Sequence, residues 1–297
     1  MSMRRAGAVG FLVAAAMGMG GCQAWNGWLD LWRFPTGEGK KELAGAGGSG
    51  GMPGTSQEAK DLAALPARMV VYRITLPVGT FSGNEKVWSQ LNEDALDSKT
   101  TVLLAQNGLR AATGPLGRWP AISKLIDVPG AMTDQMVCQT DGSSAVNVVT
   151  RANIADQNVV SVDRDLEQQG RTFNRCDDGF RLSMRKTGMS GKGGGASGGA
   201  AQLMVQLEPV VTEGSGGAVG GGGMGNIGAG AFTSEESFPD LQMAATLRAD
   251  QFFVVSPGDP RGNRFSVGSL WLSDLAKAPA VETVLVFVPV MGTPPKK

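Results

Sequence analysis

Glycine is concentrated in three tracts, and these tracts decide which parts of the chain can fold. The 297 residues include 44 glycines, and more than half of them lie in tracts at 44–54, 188–199 and 214–230. Segments so poor in bulky side chains cannot bury enough surface to offset the entropy lost on ordering. The first tract therefore predicts a disordered tether, and the other two predict long loops at the ends of one strand. The packed core must come from the remaining residues.

The first 22 residues have the pattern of an export signal. Arg4 and Arg5 precede an apolar run at 10–17, and two glycines then lead to Cys22. A positive start, a short apolar run and small residues before a cleavage site define such signals. The run is much shorter than the roughly 20 residues that cross a bilayer. The alternative is an ordinary secretory signal followed by a fortuitous cysteine.

This segment resembles a bacterial lipoprotein signal with its lipobox. The resemblance implies that residues 1–21 are removed as a signal peptide and that Cys22 carries the lipid. Such a lipid anchors a chain to a membrane surface without spanning it. Gln23 stands where aspartate favours retention at the inner membrane, so the resemblance implies the cell envelope and, within it, the outer membrane facing the periplasm. It implies nothing about activity.

Three tryptophans follow the candidate lipidation site on one helical face. Trp25, Trp28 and Trp32 recur at helical spacing. An indole ring beside a lipid anchor suits the membrane interface, where its body is buried and its N–H stays hydrated. Docking onto the protein's own core, or onto a partner, is the alternative. Residues 22–66 are therefore predicted to be a membrane-proximal tryptophan segment followed by a glycine-rich linker.

The absence of histidine and the balanced charge restrict the catalytic groups, metal ligands and partners that this chain can have. There are 27 basic and 27 acidic residues and no histidine, so the formal net charge is zero. No overall field attracts nucleic acid, and no Ser–His couple, Cys–His couple or imidazole metal ligand can form. Carboxylates, lysine or cysteine could still act, but the commonest general base is missing. We predict a non-enzymatic protein with no catalytic residue, no metal, no cofactor and no nucleic-acid partner.

Several short motifs resemble enzyme signatures by chance. The two G-x-S-x-G strings at 47–51 and 195–199 lie in glycine tracts rather than on a strand-to-helix turn. Ser183–Lys186 fits S-x-x-K but shares its lysine with a K-T-G string on one predicted strand. Four aspartates lack the spacing of a calcium loop, and we expect them in turns and on the surface. They are Asp163, Asp165, Asp177 and Asp178.

Residues 67–130 predict a small α/β unit. Alternation over 70–76 indicates a strand, and Ser82-Gly83-Asn84-Glu85 has the pattern of a capping box. Asp97 is predicted to cap a second helix that ends at Asn107-Gly108. A short strand at 109–112 and a third helix from Trp119 follow.

Residues 131–291 predict a β-rich region. Alternation at 180–185 indicates one buried and one solvated face, whereas 284–288 is apolar on both faces and predicts a central strand. The predicted strands are 135–140, 144–150, 159–163, 180–186, 202–211, 241–247, 252–256 and 282–290. The predicted fold class is therefore α+β, with a small α/β unit and then a β-rich region on a disordered glycine-rich tether.

Two cysteines remain once Cys22 is assigned to lipid. Cys138 and Cys176 in an exported chain favour a disulfide. A loop of this size would add roughly 3 to 4 kcal/mol of stability in the chain-entropy model. Two separate buried thiols are the alternative.

The C-terminal strands carry a second resemblance. A strand containing Pro209-Val210 leads through a glycine-rich stretch to strands at 241–247 and 251–256, and the series closes at 282–289. This succession resembles the β-region of bacterial secretins. The resemblance implies a place in an export assembly and is compatible with an oligomer.

The sequence as a whole favours a lipid-anchored structural or assembly component of the cell envelope. Its predicted partners are the membrane, through the lipid on Cys22, and other envelope proteins. The alternative is a periplasmic ligand-binding lipoprotein for a peptide or glycan. Few aromatic residues lie in the folded body to line such a site.

Overall fold

The computed structural model describes residues 67–140, 144–187, 202–214 and 234–290. The predicted signal peptide, Cys22, the three tryptophans near it and the linker lie outside these residues, as do nearly all of the two later glycine tracts. Within the described residues, no helix combines the length and apolar character needed to cross a membrane.

Eleven strands and four α-helices make up the described chain. The strands are β1 (Ala67–Pro77), β2 (Leu109–Pro115), β3 (Met132–Thr140), β4 (Val146–Val162), β5 (Gln168–Thr187), β6 (Gln202–Glu213), β7 (Ser234–Ser237), β8 (Met243–Arg248), β9 (Gln251–Pro257), β10 (Ser273–Asp274) and β11 (Val281–Val290). The helices are α1 (Glu85–Trp88), α2 (Ser98–Gln106), α3 (Trp119–Leu125) and α4 (Val267–Leu272). Single 3-10 turns lie at Glu93–Ala95, Leu116–Arg118 and Pro239–Leu241.

The first sheet is antiparallel and has the order β2-β9-β11-β1-β3, with β10 also paired to β11. Strand β11 lies between β1 and β9, and its residues 284–288 are buried on both faces. The prediction of a central strand at 284–288 is therefore confirmed. Strand β1 is equally central, because β11 and β3 flank it over almost its whole length.

The second sheet is also antiparallel and runs β4-β5-β6, with β7 and β8 pairing with different parts of β6. Two strands predicted at 144–150 and 159–163 are joined into the single strand β4, because the polar residues between them keep pairing with β5 through two register shifts. Along β5, Phe180, Leu182 and Met184 are buried while Arg185 is exposed. The predicted alternation of this strand is confirmed.

The two sheets pack face to face as a β-sandwich with one hydrophobic core. Its members come from β1, β9 and β11 of the first sheet and from β5, β6 and β8 of the second. Trp271 of α4 enters this core and makes edge contacts with Phe180 and Phe238, at ring-centroid distances of 5.7 and 5.5 Å. Helix α2 contributes Leu103 and Leu104 to the same core.

Helices α1 and α3 cover the outer face of the first sheet. Trp119 of α3 packs edge-on against Phe252 of β9 at 5.3 Å, and Trp88 of α1 packs against Phe81 at 5.5 Å. Val254 and Val286 lie on that face and are buried. The result is a layer of helices, then the first sheet, then the second sheet. The predicted α+β class with a β-rich region is confirmed.

The predicted boundary near residue 130 does not separate two sheets. Residues 67–130 supply β1 and β2, and residues 131–291 supply β3, β9 and β11 to the same sheet. Strand β1 alone pairs with both β3 and β11. The two segments therefore form one body.

Of the two predicted N-terminal helix caps, one forms as predicted and the other is made by a different residue. Asp97 caps α2 by accepting a hydrogen bond from the Thr100 N–H at 3.0 Å, as predicted. Asn84, rather than Ser82, caps α1. Ser82 instead donates its hydroxyl at 2.5 Å to Glu282, a fully buried carboxylate that also accepts the N–H groups of Gly79, Phe81 and Ser82. The Glu282 carboxylate of β11 therefore holds the loop after β1 in place through these hydrogen bonds.

The predicted disulfide is not formed. Cys138 lies on β3 and Cys176 on β5, in different sheets, and both are buried free thiols. Facing sheets pack about 10 Å apart, whereas bridged cysteines have Cα atoms about 4.4 to 6.8 Å apart. The structure corrects this prediction in favour of two separate buried thiols.

Candidate functional site

An open groove runs between β3 and β4, which are edge strands of the two sheets and lie beside each other. We call this the edge groove and define it by Val71, Arg73, Asp134, Met136 and Val149. Its 270 Å³ cavity adjoins a larger one of 590 Å³, since Arg73 and Asp134 line both.

Edge strand β3 is unusually unprotected. Met132, Met136 and Val137 are 64, 41 and 67% exposed. Natural edge strands are commonly guarded by lysine, proline or a covering segment. The sequence of β3 has neither lysine nor proline, and no strand in the described part of the chain pairs with its outer side. This edge can accept an additional strand.

The larger cavity lies where α4 approaches the groove, and we call it the α4 cavity. It is lined by Arg73, Thr75, Met132, Thr133, Asp134, Thr150, Arg151, Ala152, Trp271, Ser273, Asp274, Lys277, Val281 and Thr283. Two ion pairs lie in this lining. Arg73 contacts Asp134 at 2.7 Å, and Lys277 contacts Asp274 at 3.5 Å.

A distortion of β4 places Arg151 in this cavity. The β4–β5 register shifts on both sides of Arg151, and Asn153 beyond it has a φ of 57°. Bulges of this kind redirect a side chain and are frequent beside functional sites. The Asn153 N–H is held by the Asp177 carboxylate at 2.7 Å. Arg151 Nη1 reaches across to the carbonyl of Leu270 in α4, at 2.6 Å.

Two of the residues that line the cavity each carry a buried polar atom without a partner. The Trp271 indole Nε1 and the Thr133 Oγ1 make no hydrogen bond within the described structure, and Trp271 is 0% exposed. A buried polar group without a partner costs about 1 to 3 kcal/mol. Both atoms have almost no accessible surface, so neither is open to a molecule in the α4 cavity.

A buried carboxylate lies behind the bulge. Asp178 is 0% exposed, and Gln157 Nε2 donates to its Oδ1 at 2.5 Å and to Cys176 Sγ at 3.3 Å. Burial raises the pKa of Asp178 to about 7, although the Gln157 hydrogen bond and the charge of Arg151 act in the opposite direction. Asp178 therefore holds its proton far above the usual range of a carboxylic acid.

Neither described thiol is activated. Burial, followed by the negative charge of Asp178, raises the pKa of Cys176 to about 11. Burial alone raises the pKa of Cys138. Both are protonated at neutral pH, and a protonated thiol is a poor nucleophile and metal ligand. Among the described residues, no group of three cysteine or acidic side chains could hold a metal ion.

The position of Asp178 corrects the expectation that all four aspartates lie in turns or on the surface. Asp163 does lie in a turn, where it accepts the N–H groups of Asp165 and Glu167. Asp178 instead points inward with Cys176. The alternation that predicts burial of 180, 182 and 184 extends back to 178 and 176. The burial of Asp178 could therefore have been predicted from the sequence.

The strands that resemble the secretin β-region are divided between the two sheets. Strands β6 and β8 pair in the second sheet, and β9 and β11 pair in the first. Comparison with protein-family models, curated proteins and solved structures finds no match to this chain.

Proposed function

We propose that the protein is a lipid-anchored, non-enzymatic component of the cell envelope whose β-sandwich binds other envelope proteins. The edge groove is the observation that carries this proposal. Its β3 side offers an unpaired strand edge together with exposed methionines. An extended polypeptide can add to such an edge through backbone hydrogen bonds, with its side chains in the adjoining pockets.

The remaining sequence features support a location in the envelope. Cys22 supplies the lipid anchor to a membrane, with the outer membrane facing the periplasm favoured, and Trp25, Trp28 and Trp32 lie at the interface. The resemblance of 203–289 to the secretin β-region favours partners in an export assembly. A non-enzymatic role is supported by the lack of histidine and by two unreactive thiols.

A second function, binding of a peptide or glycan as a periplasmic ligand, is favoured by one observation. The α4 cavity has a volume of about 590 Å³, within the range of small-molecule sites, and Arg151 in its wall has guanidinium donors beyond the one that bonds to the Leu270 carbonyl. Such a protein would be monomeric when loaded with its ligand.

Site-specific photo-cross-linking in intact cells tests the proposed protein-binding role. A photoreactive residue replaces Met136 in the edge groove or, as the control, Val102 on α2, which is also exposed but lies outside the groove. We expect one discrete adduct with another envelope protein from position 136 and none from position 102. Equal adducts from both positions, or none from position 136, would contradict the proposal.

A further inference from the structure

We infer that the edge groove binds an extended segment of a partner protein whose apolar side chains alternate and increase in size towards Met132. The segment pairs with the free edge of β3 and inserts every second side chain between the two sheets. This inference rests on the proposed protein-binding role of the edge groove and names the kind of segment that the groove accepts.

One face of β3 is turned towards the second sheet. Cys138 and Met136 are the Cα partners of Met69 and Val71 on β1. Directly opposite residues of an antiparallel pair share a face of the sheet, and Met69, Val71 and Cys138 all belong to the core between the sheets. Met132 lies two alternations beyond Met136 and therefore on the same face.

This inward face becomes steadily more exposed along β3. Cys138 is 2% exposed, Met136 41% and Met132 64%. Strand β1 shows the same trend, because Val71 is buried whereas the Arg73 side chain is 43% exposed. Residues that would face a closed core at one end of the two strands therefore face an open gap at the other end.

The connection between β3 and β4 explains why the gap opens in one direction. Only residues 141–145 separate these two strands, which belong to different sheets, so the sheet edges are held together at the Cys138 end. The cavity beside Met136 has a volume of 270 Å³, and the one beside Met132 has 590 Å³. An inserted strand has room for a small side chain at the closed end and for a large one near Met132.

Of the two edges that flank the gap, the β3 edge is the one open along its length. Beside β4, the Val160 N–H donates to the Phe265 carbonyl at 2.7 Å, and Arg151 donates to the Leu270 carbonyl. No strand in the described part of the chain pairs with the outer side of β3. We assign antiparallel pairing to the added segment, because antiparallel pairs are the more common kind and β3 pairs in this way with β1.

The charges of the inward face require an uncharged residue in the middle of the segment. Asp134 lies on this face between Met132 and Met136, and Arg73 contacts it at 2.7 Å. The two charges neutralise each other, and like charges directly opposite on paired strands are destabilising. An inserted acidic residue meets Asp134 and an inserted basic residue meets Arg73, so an apolar residue fits best.

The test measures binding of synthetic peptides to the full chain in detergent. The first peptide, acetyl-Ala-Thr-Val-Thr-Val-Thr-Phe-Thr-amide, places alanine opposite Cys138 and phenylalanine opposite Met132 when it pairs antiparallel with β3. The second, acetyl-Thr-Thr-Val-Val-Ala-Phe-Thr-Thr-amide, has the same composition without the alternation. We expect the first peptide to bind at least about tenfold more tightly and to slow the hydrogen exchange of every second N–H of β3. Equal affinities, or no protection in β3, overturn the inference.

A third peptide tests the increase in size. Acetyl-Phe-Thr-Val-Thr-Val-Thr-Phe-Thr-amide puts a phenylalanine at the closed end of the groove in either strand direction. We expect it to bind about tenfold more weakly than the first peptide, because the closed end cannot take a large side chain without moving the sheets apart. Binding as tight as that of the first peptide contradicts the size order.

Met136→Lys and Val137→Lys form a matched pair of variants. Both residues are exposed positions of β3, but Val137 pairs with Val70 and lies on the face turned away from the gap. We expect Met136→Lys to weaken the first peptide about tenfold, because the lysine places a charge in the gap, and Val137→Lys to leave its affinity nearly unchanged. Equal losses in the two variants, or no loss in Met136→Lys, overturn insertion between the sheets.

The outcome is distinguishable from failure of the proposed function. If position 136 cross-links to an envelope protein in cells but the three peptides bind alike, only this inference fails. If position 136 gives no adduct and none of the peptides binds, both fail.

Discussion

At the scale of single residues, the most consequential group is the Asp178 carboxylate. Its only described hydrogen bond comes from Gln157, and its Oδ2 has no partner in the described structure. A buried ionised carboxylate in this position would lack most of the donors that stabilise such a charge. The fold therefore favours the protonated form, and the charge of Arg151 only partly offsets this preference.

The stability of the protein should depend on pH through Asp178. Its folded pKa of about 7 lies above an unfolded value near 3.9, so the folded state holds one more proton between about pH 4 and pH 7. Its stabilising contribution is complete below pH 4 and is lost as the pH rises towards 7. The slope approaches about 1.4 kcal/mol per pH unit in that window. Urea unfolding of the wild type and of Asp178→Asn, measured from pH 4.5 to 7.5, reports this slope.

We expect Asp178→Asn to flatten the slope, since an amide does not titrate. Asp177→Asn is the matched control, because Asp177 is adjacent in sequence but only half-buried. It should keep the wild-type slope, because Asp178 is unchanged and the amide oxygen of the new asparagine can still accept the Asn153 N–H. A wild-type slope retained in Asp178→Asn would show that Asp178 is ionised throughout.

At the scale of elements, the turn after α2 holds three parts of the fold together. Asn107 is fully buried, and its side-chain amide bonds to the carbonyls of Leu103 and Val162 and to the Val162 N–H. Gly108 follows with a φ of +70° and accepts the N–H of Gly258. The Asn107 carbonyl accepts the N–H of Gly268 in α4. The end of α2 is thereby fixed to β4, to the end of β9 and to α4.

Gly268→Ala should destabilise the protein, because there is no room for a side chain where α4 meets this turn. A Cβ at Gly268 would lie 1.8 Å from the Gly108 carbonyl oxygen, which is backbone and cannot rotate away. We expect a loss of about 3 kcal/mol or more in the free energy of unfolding. Gly117→Ala is the control, since nothing lies within 4 Å of its Cβ position, and it should change stability by less than about 0.5 kcal/mol. The urea concentrations at the midpoint of unfolding measure both effects. Equal midpoints for Gly268→Ala and Gly117→Ala would contradict the packing described for α4.

The elements predicted correctly are those with local signals. Asp97 caps α2 and Asn107-Gly108 ends it, because side-chain capping and a left-handed glycine act within a few residues. The length of β4 was not predictable in this way. Its residues 151–158, most of them polar, pair with β5, and pairing to a partner strand overrides their weak apolar pattern.

The candidate site was less predictable than the fold because it depends on distant contacts. Arg151 and the Leu270 carbonyl are 119 residues apart, and the register shifts that bring them together leave no pattern in the sequence. Trp271 gave no signal beyond a single aromatic residue. Asp178 could have been found, since it shares the parity of Phe180. Strands β3 and β4 lie at sheet edges because of the order of strands in each sheet, and the sequence pattern does not reveal that order.

At the scale of the whole molecule, the proposed role needs the sandwich to be held at a membrane. The groove on the β3 side meets its partners only if the protein shares a surface with them. One acyl chain gives weak and reversible binding, and each buried methylene adds about 0.8 kcal/mol. In the proposed arrangement, Trp25, Trp28 and Trp32 add interfacial contact next to a lipid on Cys22.

Cys22→Ala should abolish lipid attachment, because Cys22 follows directly after the small residues of the lipobox-like segment. Cells fed a labelled fatty acid should incorporate the label into the wild-type protein, and intact-mass measurement should show the added acyl mass on a chain that begins at Cys22. Cys138→Ala is the matched control, since Cys138 is a buried free thiol in β3. It should retain both the label and the mass. Label in Cys22→Ala would mean that the lipid is attached at another residue. An unlabelled wild type cleaved elsewhere would mean that residues 1–22 are an ordinary secretory signal and that the sandwich reaches its partners without a lipid.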